Sequence, residues 1–212
     1  MAQPTGTGAA TDLIPAFRDE LCLDFANTRY WRGTETPTEG LGSIGDVVAW
    51  CRSAGLLSEA AAESALRWWE EQPDRAAAAF LEAIALREAI YGVFRAIADG
   101  REPPPDAMLA LNAALLRAPN RLGIERQGGS FAWRIPHTSE PSAAALLGPI
   151  VWSGTELLLG SRLPRVRHCA NERCLWLFLD DSKGGTRRWC SMSACGNRAK
   201  AHRHYARKKK KR

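Results

Sequence analysis

The chain has 212 residues, 45% of them hydrophobic and 25% charged, with a net charge of +6, a length that suits one ordinary domain with a buried core plus a small module. Residues 1–10 carry neither the basic nor the apolar region of a signal peptide, and the most apolar stretch, 143–160, is interrupted by Pro149, Ser153 and Glu156. It falls short of the roughly 20 apolar residues of a membrane span, so it reads as a buried helix, and a cytoplasmic protein with no membrane contact is expected.

After a start expected to be disordered, residues 21–28 (Leu-Cys-Leu-Asp-Phe-Ala-Asn-Thr) form a short apolar segment, helix or strand. A loop rich in Gly, Thr, Pro and Glu covers 32–42. Residues 44–54 predict a helix with Val47, Val48 and Cys51 inward, stopped by Gly55, and Ser58 caps a second helix that ends near Pro73. From 74 to about 98 the spacing of Phe80, Ile84, Ala85 and Ala89 predicts the longest helix. Another follows Pro103–Pro105 over 106–117. Residues 121–126 and 130–135 flank Gln-Gly-Gly as a hairpin, and 141–159 is the apolar helix. The first 161 residues therefore predict a mainly α domain with a small β-hairpin. They show no nucleophile with a partnered base, no phosphate loop and one histidine, His137, so no enzyme is expected.

The remainder, 162–212, differs in kind. It holds sixteen lysines and arginines against three acids, a net +13, whereas residues 1–161 carry −7. An acidic body joined to a basic module is the electrostatic footprint of a polyanion binder. The module also holds four cysteines in two pairs of equal spacing, Cys169 with Cys174 and Cys190 with Cys195. Thiols kept reduced in a cytoplasm and set in close pairs point to a four-cysteine zinc site rather than to disulfides, and four sulfurs leave no open position for catalysis, so one structural Zn²⁺ is expected. Cys22 and Cys51 lie apart from this cluster and read as core residues.

Residues 175–181 and 186–189 predict two strands about a Gly-containing turn, with Cys190 delivered at its end. Ser191 or Ser193 would cap a helix to about residue 207 whose first turn holds Cys195, a treble-clef arrangement whose helix N-terminus favours thiolates. Met192, Cys195, Ala199, His202 and Ala206 would face inward, while Lys200, Arg203 and Arg207 repeat on another face. His202 is too far along that helix to join Cys195 on one ion; His168, next to Cys169, is a competing ligand.

Trp189-Cys190-Ser191-Met192, then Cys195-Gly196-Asn197-Arg198 and Lys200, resemble the CGNR zinc-finger family. Leu23-Asp24-Phe25-Ala26-Asn27-Thr28 resembles the opening motif of the ABATE domain, described as a stress-induced transcription regulator, that usually precedes it. The resemblance implies a bacterial regulator that binds zinc and DNA. Gly196 would allow close approach to the metal, Asn197 would bond a thiolate or a free N–H, and Arg198 would either brace the hairpin or touch DNA.

The leading expectation is a transcription regulator with an ABATE-like helical domain at 1–161, as sensor or dimerisation unit, and a zinc module with basic tail at 162–212. Arg187, Arg188, Arg198, Lys200, Arg203 and Arg207 are the candidate DNA contacts. The alternatives are RNA binding, with Trp176, Phe178 and Trp189 as stacking surfaces or as hairpin core, and a small-molecule effector pocket formed by Asp24, Asn27, Arg29, Tyr30 and Trp31.

Overall fold

The computed structural model describes residues 11–18, 20–137 and 140–201. About half of them are helical and the sheets are small, so the chain is mainly α. No helix among the described residues is long and apolar enough to cross a membrane.

The 21–28 segment resolves as a helix, α1 (Leu21–Ala26), with Leu21, Cys22, Leu23, Phe25 and Ala26 all buried. A continuous apolar run of this length fits either element, and here its packing against later helices decides the matter. Arg29–Tyr30 (β2) and Thr38–Glu39 (β3) pair as a two-residue ladder inside the expected loop. Helix α2 (Ile44–Ser53) is capped by Ser43, whose hydroxyl accepts from the Asp46 N–H, and it buries Val47, Val48 and Cys51 as expected. Gly55 follows at φ 77°, a left-handed position that suits glycine. Helix α3 (Glu59–Glu70) has Ser58 as its cap, accepting from the Ala61 N–H.

Helix α4 (Pro73–Ala98) is the longest element, and its buried line differs from the expected one. Ala89 is buried as expected, together with Ala79, Ala83, Leu86, Ile90, Val93 and Phe94, but Phe80 and Ile84 are only half-buried and Ala85 faces solvent. With α1, α2, α5 (Pro105–Arg117) and α6 (Ala143–Leu159) packed around it, the small alanines take the closest approaches and the larger residues flank them. Arg87 shares this buried face. Its side chain is 1% exposed and donates to both carboxylate oxygens of Glu39 and to Glu88. Arg32, also buried, donates twice to Glu88 and to the Ala26 carbonyl, and lies 3.8 Å over the Tyr91 ring. Burial pushes the Glu39 and Glu88 carboxyls up, but the hydrogen bonds and charges of Arg87 and Arg32 outweigh it and hold both below the ordinary range. The pairs therefore stabilise the fold above the unfolded-state carboxylate pKa, and that stability is lost as pH falls through the lowered folded-state values. They tie the 29–42 loop onto α4.

The predicted hairpin is present as β4 (Gly123–Gln127) and β5 (Ser130–Pro136), with a third antiparallel strand, β1 (Thr11–Pro15), beside β5. Five residues ending in proline gave no strand signal; pairing with β5 supplies it. Ile14, Ile135 and Trp152 form a small satellite core beneath this sheet. Helix α6 starts at the Ser142 cap and continues through Pro149 into the centre of the main core.

The core does not stop at residue 161. A single 3-10 turn (Leu163–Arg165) leads into β6 (Val166–His168), which pairs antiparallel with β7 (Leu177–Leu179). Val166, Leu177 and Leu179 belong to the same buried cluster as α1, α2, α4 and α6.

Candidate metal centre

Between β6 and β7 the chain makes a tight knuckle that holds the first pair of cysteines. The Cys169 N–H donates to the Trp176 carbonyl at 2.7 Å, and the Cys174 N–H to the Asn171 carbonyl at 2.7 Å. Leu175 leaves the knuckle at φ 57°. The second pair arrives from the far side. Asp180, 1% exposed, follows β7 and turns the chain by accepting from the Ser182 N–H and hydroxyl and from the Arg187 N–H. Those hydrogen bonds, Ser182's first, hold its carboxyl below the usual range. This corrects the expected strand at 186–189: the carboxylate takes the Arg187 N–H that a ladder would need, and β7 pairs with β6 instead. The hairpin thus encloses the first cysteine pair and does not lie between the pairs.

Ser191 caps the segment after Cys190, accepting from the Ala194 N–H. The expected helix begins with a wide, π-helical turn (Met192–Gly196) and continues as α-helix over 197–201, the last described residues. Cys195 is buried in this first turn, as expected, but Met192 is 54% exposed. The extra residue per turn rotates Met192 off the Cys195 face. Gly196 does not make room for the metal: a Cβ there would meet the Met192 Sδ at 2.8 Å. Asn197 donates to the Ser193 carbonyl, not to sulfur. His202, His204, Arg203, Ala206, Arg207 and the 208–212 run lie outside the described residues.

The Sγ atoms of Cys169, Cys174, Cys190 and Cys195 all lie within 4.8 Å of one another, and those of Cys169, Cys174 and Cys195 belong to buried residues. Cys174 and Cys190 sulfurs are 3.7 Å apart, and Cys190 and Cys195 sulfurs 3.9 Å. A tetrahedron with Zn–S bonds of about 2.3 Å has sulfur–sulfur edges of about 3.8 Å, so the four fit one zinc ion, while the sulfurs are far too distant for disulfides. The electrostatics agree. Hydrogen bonds from Cys174 and Cys190 lower the Cys169 thiol, and the proximity of Cys169 in turn raises Cys174 and Cys190. A dication among the four sulfurs would favour the thiolate form that binds metal. Zinc here would be held by Cys169 and Cys174 from the knuckle and by Cys190 and Cys195 from the capped turn. Asn171 completes the surroundings: its amide donates to the Cys195 Sγ at 3.4 Å while its Oδ1 accepts from the Arg173 N–H. It sits between the first two cysteines, where an Asn offering both groups was a readable signal.

His168 is not a ligand. Its Nε2 lies 3.0 Å from Asp99 Oδ1 and its Nδ1 3.2 Å from the Cys169 carbonyl, so it ties β6 to the end of α4. Cys22 and Cys51 are fully buried in the main core, where burial pushes each thiol up to about 12. Replacing Cys51 by alanine should leave zinc content unchanged, as measured by metal analysis of the purified protein; a fall in zinc would contradict this separation.

The candidate DNA contacts divide. Arg187 donates to the carbonyls of Trp189, Leu179 and Cys190 and lies 4.4 Å over the Phe178 ring, so it braces the chain that carries the third ligand. Arg188, Arg198 and Lys200 are exposed. Arg198 stacks 4.6 Å over Trp31, a residue of the body, so its bracing contact is to that loop and not to the hairpin. Phe178 is buried, and Trp176 and Trp189 pack against the cysteine cluster together with Trp31.

Of the five residues of the expected effector pocket, Asp24, Asn27 and Tyr30 line one cleft, Trp31 lines another and Arg29 lines neither. Asn27 is buried and engages β7: its Nδ2 donates to the Leu177 carbonyl at 2.8 Å and its Oδ1 accepts from the Leu177 N–H at 2.9 Å. Arg29 pairs with Glu88. Asp24, Asn27 and Tyr30 line a cleft of about 280 Å³ with Trp50 and Trp176, whereas Trp31 lines a different one. Both clefts lie on the seam between body and knuckle, because the chain after α1 runs along that seam.

Residues 19–161 match the model of a family described as "Putative stress-induced transcription regulator" (ABATE), and residues 165–208 match the CGNR zinc finger. No curated protein matches the chain.

Proposed function

Since the chain belongs to the ABATE family and carries a CGNR zinc finger, we propose that it is a cytoplasmic, DNA-binding transcription regulator whose zinc centre holds a basic surface in place. The observation that carries this reading is the state of the cations. In the body, Arg18, Arg32, Arg52, Arg75, Arg87, Arg95 and Arg121 each meet a carboxylate. Around the metal centre, Arg173, Lys183, Arg188, Arg198 and Lys200 are exposed and have no carboxylate partner among the described residues. Exposed charges left unneutralised are free to replace the counterions of a phosphate backbone. Arg203 and Arg207 extend the same charge in the sequence.

The ligand order, two thiolates from a knuckle and two from a capped helical turn, supports a treble-clef-like description of the module. The division into a body at 1–161 and a module at 162–212 is then functional: the hairpin of the module completes the core of the body, so a signal that repacks the body, by an effector or by dimerisation, reaches the metal centre through β7. Neither family is an enzyme family, and four sulfurs leave zinc no open position for substrate.

Five phosphate contacts give a slope of about −4.5 in log affinity against log salt, or about 500-fold weaker duplex binding at 200 mM than at 50 mM. Affinity for genomic DNA fragments that stays flat over this range would exclude the reading. Preferred binding of structured RNA in direct competition would select the RNA alternative.

A further inference from the structure

The larger cleft of the seam, about 520 Å³, falls within the size range of small-molecule sites, roughly 300–1,000 Å³. Its walls come from both parts of the chain: Trp31 and Thr34 from the loop after β2, and Glu172, Arg173, Trp189 and Arg198 from the metal module. Trp31 has φ 54°, a left-handed backbone conformation that is costly for a bulky residue and is typical of ligand clamps. The surroundings enforce it. The Trp31 carbonyl accepts from both the N–H and the hydroxyl of Thr34, and the Gly33 N–H donates to the Arg173 carbonyl. Gly33 is pressed so closely on the knuckle that a Cβ would lie 1.7 Å from the Glu172 carbonyl oxygen.

The chemistry of the walls is specific. Two half-buried indoles line it, with Arg198 lying 4.6 Å over the Trp31 ring, and the guanidiniums of Arg173 and Arg198 have no carboxylate partner among the described residues. An apolar ligand would leave the guanidiniums unused, and a simple anion would leave the indoles unused. A planar heterocycle joined to a phosphate uses both. We propose that this cleft binds a nucleotide, its base stacked on Trp31 or Trp189, its phosphate on Arg173 and Arg198, and the N–H edge of the base facing the Glu172 carboxylate. The nucleotide is either a free effector or an unpaired unit of a nucleic-acid strand; the site is separate from duplex binding by the exposed cations and does not require it.

Calorimetric titration of the full, zinc-loaded chain tests this, with GMP, AMP, ribose 5-phosphate, a mixed-sequence single strand of 12 nucleotides and its duplex as probes. One-site binding of a mononucleotide is expected, weakened at least about tenfold by Arg173→Ala and by Trp31→Leu and retained in Trp31→Phe, with zinc content equal in all variants. Binding of the single strand alone, with the same sensitivity to both substitutions, would assign the site to a strand. Ribose 5-phosphate binding as tightly as GMP, or nucleotide binding indifferent to both substitutions, overturns the proposal. So does binding of the duplex alone, which leaves the DNA reading intact; nucleotide binding without duplex binding supports the cleft and removes the DNA reading.

Discussion

Replacing Cys190 by serine is expected to cost the protein its zinc. The Cys190 sulfur sits 3.7 Å from Cys174 and 3.9 Å from Cys195, on the edges of the tetrahedron, and a serine hydroxyl is not deprotonated by a shared dication as readily as a thiol is. Structural zinc contributes on the order of 10–16 kcal/mol in zinc-finger peptides, comparable to or above the roughly 5–15 kcal/mol of net stability of a typical domain. Loss should not be uniform along the chain. The β6–β7 ladder is held by Val166, Leu177 and Leu179 in the main core, whereas residues 182–201 are tied down by few contacts besides the metal: Asp180, Arg187, the Ala170 N–H to the Arg188 carbonyl and the Arg198–Trp31 stack. Metal analysis should therefore fall from about one zinc per chain to near zero, with hydrogen exchange accelerated from 182 onward and little changed in α4. Zinc retained by the variant after dialysis against a strong chelator would contradict the four-sulfur site. Stripping the wild-type protein with excess chelator should reproduce the variant and abolish duplex binding with it.

A second large effect is expected at Asn27. Its carboxamide acts as a surrogate strand, satisfying both the N–H and the C=O of Leu177 in a buried position. In Asn27→Ala both backbone groups are left buried without these partners, at about 1–3 kcal/mol each, so urea unfolding should show a loss of about 2–6 kcal/mol. Asn27→Asp keeps an acceptor for the Leu177 N–H but offers the Leu177 carbonyl a carboxylate, so it should do no better than alanine despite its shape. The same variants should bind zinc more weakly, because Leu177 stands three residues beyond Cys174 and sets the exit of the knuckle. A loss below about 0.5 kcal/mol in Asn27→Ala would show that the hairpin is held by its apolar face alone.

These two residues mark how far the sequence could be read. Helices α2 to α6 announced themselves through capping serines, stop signals and apolar periodicity, all local properties of a short window. The metal centre was equally legible, since four thiols at two equal spacings in a basic stretch have few other uses. Elements of two to five residues were not. β1, β6 and the break at 186–189 depend on which distant segment offers backbone partners, and Asp180 redirects the chain with a side chain that in the sequence is one acid among 23. The first turn of the last helix shows the same limit: Ser191 signalled the start, but no local pattern marked the π-helical turn that carries Cys195 inward and leaves Met192 exposed.

By itself, then, the sequence determined the mainly helical class, the four ligands, the contrast between acidic body and basic module, and the family. Only the tertiary structure decided that Asn27 pins Leu177 as well as lining a cleft, that His168 serves Asp99 and not the metal, that Arg187 braces Cys190, and that Trp31 and Arg198 meet across the seam. For Asn27, His168 and Trp31 the physical reason is the same: each depends on a pairing between residues far apart in the chain, up to 167 positions for Trp31 and Arg198, and which of several suitable partners a group finds is fixed by the closing of the core around it. Arg187 reaches residues nearby in the chain, Trp189 and Cys190 among them, but the turn that lets it do so is set by Asp180.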